Sequence, residues 1–293
     1  MKCMLCPRRC GADRAAGEAG FCAVPDTALV CRAAPHYGEE PCISGSRGSG
    51  AVFFAGCNLR CVFCQNHAIS RGAAGTALDV PALRDTFLRL RDGGVHNINL
   101  VTPTHFSAVI AEALSGLSLG IPVVWNSSGY ESVDTLRQLE GLVQVYMPDF
   151  KYADAALAAR YSAAPDYPAV ALAAIGEMFR QTGPAALDGE GILQRGVLIR
   201  HLILPGSAEN TLRVIDAVED HFPPEEILFS LMAQYTPLPG LEAFPELQRP
   251  ITQAEYDRCA SYLDFSSICR GYTQSPESTG ETLIPAFDGT GLD

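Results

Sequence analysis

The sequence predicts an α/β fold: a partial parallel (β/α)6 barrel with a small Cys-rich N-terminal segment and a short C-terminal extension. Three observations carry this. Short apolar runs alternate with helical patterns six times between residues 44 and about 235. Each run ends in polar or small residues, as expected where parallel strands deliver side chains to one rim. The flanks lack the alternation: residues 1–43 are Cys-rich and irregular, and residues 236–293 are Pro-rich, then hold one helix and a loop-like tail. With 293 residues and 47% hydrophobic content, the chain can bury one large core plus an appendage. A full barrel has eight units, so this one is incomplete. A doubly wound open sheet is the competing architecture, and in both folds chemistry sits beyond the carboxyl ends of the strands.

The elements follow in order. The first strand is expected at 51–55 and leads into a loop at 57–64. A helix at 80–91 places Leu83, Phe87 and Leu90 on one face. The second strand, 95–101, ends in Thr102-Pro103-Thr104-His105, with a helix around 106–117. The third, 121–125, ends in Asn126-Ser127-Ser128-Gly129-Tyr130, with a helix near 131–139. The fourth, 142–147, ends in Pro148-Asp149-Phe150-Lys151-Tyr152, with helices between about 153 and 180. The fifth, 196–204, carries Arg200-His201 and ends in Pro205-Gly206, followed by a helix at 209–219. The sixth, 227–232, ends in Gln234-Tyr235-Thr236-Pro237, with a helix near 253–263. Any one of these ends is an ordinary turn; six in step make a site.

The 57–64 loop is the most specific signal. Cys57, Cys61 and Cys64 stand in a C-x3-C-x2-C spacing. Four Cys usually hold a four-iron cluster, so three leave one iron open, and an open position marks a catalytic site. A structural zinc site is the bland reading, but zinc wants four ligands and no fourth Cys follows nearby. The spacing resembles the radical S-adenosylmethionine (SAM) superfamily, in which SAM chelates the open iron of a 4Fe–4S cluster. That resemblance implies reductive SAM cleavage to methionine and a 5′-deoxyadenosyl radical, which abstracts hydrogen from a substrate.

More narrowly, the core at about 44–240 resembles the pyruvate formate-lyase (glycyl-radical enzyme) activating enzyme family. Asp149-Phe150-Lys151 resembles its strand-four motif that contacts SAM. Asn126-Ser127-Ser128-Gly129 resembles its strand-three turn, and Arg200 with Pro205-Gly206 its strand-five pattern. The Cys-rich start, Glu40-Pro41-Cys42-Ile43-Ser44-Gly45 and Val101-Thr102-Pro103-Thr104-His105 point to one branch of it. The resemblance implies cofactor contacts from Thr102, Thr104, Asn126, Ser128, Asp149, Lys151 and Arg200. Lys151 or Arg200 would pair the methionine carboxylate, or else a neighbouring acid. His105 reads as a rim residue and His201 as structural. Two departures stand out. The family's Gly-Gly-Glu after strand two is replaced by Thr102-Pro103-Thr104, and its strand-six histidine by Gln234 and Tyr235. SAM binding tolerates both; identity as a glycyl-radical activator is weakened. The resemblance also implies an electron donor such as flavodoxin or ferredoxin.

Cys3, Cys6, Cys10 and Cys22 form a second group, C-x2-C-x3-C-x11-C. Such a short polar segment folds only with a staple, and a metal supplies one. Zinc and a second iron–sulfur cluster both suit four thiolates. Cys31 or Cys42 could replace one of the four; free thiols are the alternative. Cys259 and Cys269 read as small buried residues.

Eleven Cys without a signal-peptide core at the start argue for metals rather than disulfides, and for a cytoplasmic protein. No apolar stretch of about 18 residues is present, so no membrane span is expected. A net charge of −12 argues against sequence-independent nucleic-acid binding. Beside the enzyme reading, with a glycyl-radical protein, a small molecule or a peptide as substrate, stand two others. One is a non-catalytic iron–sulfur sensor or electron carrier; the other is a zinc-binding scaffold. Tyr272, Gln274 and Phe287 are expected to help shape the barrel mouth.

Overall fold

The computed structural model describes residues 2–72, 74–276 and 285–292. Ten strands form its sheet: β1 (Ala28–His36), β2 (Ser49–Phe54), β3 (Thr76–Leu78), β4 (Ile98–Val101), β5 (Val123–Ser127), β6 (Val145–Pro148), β7 (Ala186–Leu187), β8 (Leu193–Leu202), β9 (Leu228–Met232) and β10 (Gly271–Thr273). The spatial order is β10-β9-β8-β6-β5-β4-β2-β1-β3, with β7 paired to β8. From β2 to β10 the main-path pairings are all parallel. Their order follows the sequence without reversal. A doubly wound sheet reverses at a switch point, so this is the partial barrel. The six expected strands are β2, β4, β5, β6, β8 and β9.

Helices cover the outer face, and their starts are written locally. Asp79 accepts a hydrogen bond from Ala82 N at 2.9 Å and opens the helix Val80–Asp92, which buries Leu83, Phe87 and Leu90. A reciprocal capping box between Thr252 and Glu255 opens Gln253–Phe265. Trp125, Tyr146, Phe54 and Phe229 are fully buried between layers.

The expectations differ from the structure in several places. The zone 1–43 is not irregular throughout. It supplies β1, which pairs antiparallel with β2 and β3 and extends the sheet at its edge. The run escapes recognition because Arg32 and Pro35 interrupt it; Pro is tolerated where a strand need not donate at every residue. The tail is not all loop, since β10 adds a seventh parallel strand beside β9. Its residues 285–292 lie against β1, with Ala33 N donating to Thr290 O at 3.0 Å and Gly289 N to Cys31 O at 3.1 Å. Residues 131 and 132 precede the helix Val133–Arg137 rather than belonging to it. Cys259 is buried as expected, but Cys269 is exposed.

Gly56, just after β2, decides how the N-terminal segment seats. Its φ is +77°, and a Cβ there would stand 2.5 Å from the Cys22 carbonyl oxygen. Only glycine combines that backbone with that approach.

Candidate active site

The parallel strands end at a cavity of about 640 Å3, lined by the 57–64 loop, by residues from β4, β5, β8 and β9, and by Asp149 and Lys151 just after β6. Small-molecule sites run from about 300 to 1,000 Å3. Cys57, Cys61 and Cys64 all line it. Cys57 Sγ accepts from the backbone N–H of Leu59 (3.4 Å) and Arg60 (3.5 Å), and Cys61 Sγ from Ser162 Oγ at 3.1 Å. Arg60 takes a positive φ of 56° within this turn. Burial, and then the neighbouring Cys64 and Cys61, push the Cys57 thiol up to about 12. Burial pushes the Cys57 and Cys64 thiols up, yet amides are aimed at Cys57 as at a thiolate. The loop therefore fits a cationic iron cluster held by Cys57, Cys61 and Cys64.

The same cavity holds a buried charge network. Arg200 donates from Nε to Asp149 (3.0 Å), from one terminal nitrogen to Glu39 (2.9 Å) and from the other to Asn126 Oδ1 (2.7 Å). Lys151 Nζ donates to Asp149 at 2.6 Å. Burial alone would raise the Asp149 carboxyl, but Lys151 and Arg200 outweigh it and hold it below the usual carboxylate range. Burial opposes charge on Lys151 as well, and Asp149 reverses that. Two cations and two carboxylates balance, which is how buried charge persists. Arg200 spends donors on three partners. Among the described residues Lys151 Nζ donates to one side chain, Asp149, with three N–H groups, so of the two it has more to offer a ligand carboxylate.

Two other strand ends are held with unusual geometry. Thr102, after β4, takes a positive φ of 59°, an outlier for a β-branched residue. Its N–H donates to Asn126 O at 2.8 Å, and it lines the cavity. Such outliers concentrate at functional sites. Ser128 also lines the cavity. The Tyr167 hydroxyl lies 2.8 Å from Ser128 O and 2.7 Å from Asp149 O, and accepts from Lys151 N at 2.9 Å, buckling two strand ends together.

Thr104 does not reach the cavity. Pro103 starts a short 3-10 turn, Thr104–Phe106, which points Thr104 inward. Its hydroxyl donates to Glu131 Oε1 at 2.6 Å in the buried interior. The expected cofactor contact at this position therefore finds no geometric basis. His105 is not a rim residue: it is buried, with Nε2 2.7 Å from Ala55 O. His201 is structural as expected, between Phe150 O and Thr211. Phe287 packs on Phe53 with ring centroids 5.4 Å apart, near the cavity-lining Pro285. Tyr272 instead packs against the core cluster of Cys42 and Ile43. Gln274 N donates to Leu231 O at 3.0 Å beside β9.

Glu131 is the buried acid behind the site. Its Oε1 also accepts from Trp125 Nε1 at 3.2 Å, while Oε2 has no hydrogen-bond partner. Burial raises its carboxyl to about 7, against the bonds from Thr104 and Trp125 that favour the ionised form. A raised carboxyl makes stability full below the ordinary value of 4.5 and lost as pH rises toward 7, because the unfolded chain releases its proton first. Glu131→Gln is expected to remove this slope, worth about 3 kcal/mol. Urea titrations at pH 5 and pH 8 on both proteins would show it; equal slopes would contradict the assignment.

The comparisons with known proteins come from sequence and from structure. No family model matches the chain. It is 28% identical over 265 residues to an uncharacterized protein of Methanocaldococcus jannaschii, covering 87% of this chain and 72% of that one. Among solved structures it resembles Streptococcus suis SuiB bound to S-adenosylmethionine, with a TM-score of 0.52 at 15% identity, over 77% of this chain and 52% of SuiB. The two share a fold. SuiB bound to the precursor peptide SuiA matches with a TM-score of 0.51 at 13% identity, over 75% and 46%. The chain thus spans about half the length of these solved structures. Among the described residues no helix is long and apolar enough to cross a membrane.

Sequence reasoning missed Glu39, Tyr167 and Glu131. Glu39 lies on the loop after β1, outside the alternating zone. Tyr167 begins the helix Tyr167–Thr182 and reaches the site from the side. Neither stands at a strand end, which was the signal in use.

Proposed function

We propose that the chain is a radical SAM enzyme that acts on a polypeptide. The observation that carries this is one cavity lined by both the three cysteines and the Asp149–Lys151–Arg200–Asn126 network. Cys57, Cys61 and Cys64 would hold a 4Fe–4S cluster with one iron open. Lys151 would hold the SAM carboxylate, with Thr102, Asn126 and Ser128 offering polar contacts beside it. Asp149 and Arg200 keep Lys151 charged and placed. When bound, the reduced cluster and SAM supply a 5′-deoxyadenosyl radical for hydrogen abstraction. Phe63 packs edge-on against Tyr152, Tyr161 and Tyr235 beside the loop, a buried aromatic wall that keeps water from the cysteines. A flavodoxin or ferredoxin would deliver the electron, in a cytoplasmic setting.

Two polypeptide substrates have support. The sequence resemblance favours a backbone glycine of a glycyl-radical protein. The fold shared with peptide-bound SuiB favours modification of a peptide. Incubation with glycyl-radical proteins, read by EPR, should give a glycyl doublet in the first case. In the second, peptides from neighbouring genes should lose hydrogen, as read by mass spectrometry, with no doublet. SAM cleavage unaffected by either class would remove the polypeptide assignment.

A further inference from the structure

The four N-terminal cysteines are gathered by their own backbone. Cys3 N donates to Ala12 O at 2.9 Å and Gly11 N to Cys3 O at 3.1 Å, which folds Cys3 back beside Cys10. Arg9 N donates to Cys6 O at 3.0 Å, closing the turn between Cys6 and Cys10. Gly20 lies against two of the sulfurs: a Cβ there would stand 2.9 Å from Cys10 Sγ and 3.7 Å from Cys22 Sγ. The Arg14 guanidinium lies 4.0 Å from Cys3 Sγ, a cation placed where thiolates would collect.

The group is also fastened to the first loop. Cys57 N donates to Cys22 O at 3.3 Å, across the gap that Gly56 keeps open. Arg8, between Cys6 and Cys10, donates to the carbonyls of Asn58 (2.8 Å), Leu59 (3.3 Å) and Ser162 (2.7 Å). Arg60 of the loop donates back to Phe21 O at 3.3 Å. A cysteine of one set is thus one backbone hydrogen bond from a cysteine of the other.

Zinc and a four-iron cluster both take four thiolates. Position favours the cluster: Cys22 lies one backbone hydrogen bond from Cys57 of the loop, where a redox-active centre could exchange electrons with the first cluster and redox-inert zinc could not.

We propose that Cys3, Cys6, Cys10 and Cys22 hold a second, coordinately complete iron–sulfur cluster that relays electrons to the open one. This rests on the radical SAM reading of the 57–64 loop. A low-potential one-electron carrier protein reduces the second cluster by one electron. The same electron passes through the Cys22–Cys57 hydrogen bond, so the second cluster is reoxidised as the first is reduced. No atom or proton moves. The exposed Cys10 puts the relay where a carrier can approach, whereas Cys57 and Cys61 are buried.

The test uses the full chain, reconstituted anaerobically with iron and sulfide. Wild type should bind about eight irons and no zinc; Cys6→Ala with Cys10→Ala should bind about four, as should Cys57→Ala with Cys61→Ala and Cys64→Ala. The N-terminal variant should keep an EPR signal that SAM perturbs, and the loop variant should not. The N-terminal variant should also lose reduction of the open cluster by flavodoxin while dithionite still reduces it. Wild type with zinc and about four irons, or unchanged iron in the N-terminal variant, would overturn the second cluster. Undiminished reduction by flavodoxin would overturn the relay. An iron-free N-terminal variant is checked with Cys10→Ser alone, which changes one exposed residue: if that variant also binds no iron, the two sites are not separate and the proposal fails. Loss of the SAM response in wild type would instead strike the radical SAM reading.

Discussion

Serine in place of Cys61 is expected to abolish 5′-deoxyadenosine formation while leaving the chain folded. The substitution nearly preserves volume, and a serine hydroxyl can still meet Ser162 Oγ, the present partner of Cys61 Sγ at 3.1 Å. What it removes is a soft thiolate, the ligand that iron–sulfur clusters take. Iron should fall by about four per chain relative to wild type. The circular dichroism spectrum should not change, because the cavity wall is carried by β2 and by the Arg8 contacts to Asn58 and Leu59. Activity retained with iron bound would mean that Cys61 is not a ligand.

Arg200→Met should be the most damaging substitution away from the cysteines. It leaves Glu39 without its cation and Asp149 with Lys151 alone. Breaking a buried ion pair on one side costs about 3–5 kcal/mol. At about 2–4 °C per kcal/mol in a chain of this size, the melting temperature should fall by roughly 10 °C. The pH dependence should move too. Asp149 is held below the usual carboxylate range, so it contributes stability that is present above its ordinary value and lost as pH falls through the depressed one. Without Arg200 that loss should begin at higher pH. Adding Glu39→Gln should recover part of the stability, since it removes the stranded carboxylate. Lys151→Met, by contrast, leaves Asp149 paired with Arg200. It should cost less stability but weaken SAM binding, as read by calorimetry. Equal melting temperatures for Arg200→Met and wild type would contradict the network.

Much of the site was legible because parallel strands carry function at one end. Cys57, Cys61 and Cys64 were read from their spacing, and Thr102, Asn126, Ser128, Asp149, Lys151 and Arg200 from the family resemblance, most of them at strand ends; all line one cavity. Thr104 was misplaced because Pro103 curls the chain into a 3-10 turn, so residues 102 and 104 do not share a face as they would in a strand. Glu39 was invisible for a different reason. It completes the charge network from a segment whose strand, β1, has no clean alternation. Long-range pairing of this kind, 161 residues apart along the chain, leaves no local trace. The same holds for the Arg8 carbonyl contacts, which only the folded loop brings within reach.

On the function proposed above, the three-cysteine loop and the charge network lining the same cavity form one SAM-cleaving site. The direct test is anaerobic reconstitution followed by dithionite reduction with SAM, assayed for 5′-deoxyadenosine, with the cluster EPR spectrum recorded before and after SAM is added. We predict product formation and a perturbed spectrum. An intact cluster with no product and a spectrum indifferent to SAM would contradict the account and leave a non-catalytic iron–sulfur protein in its place.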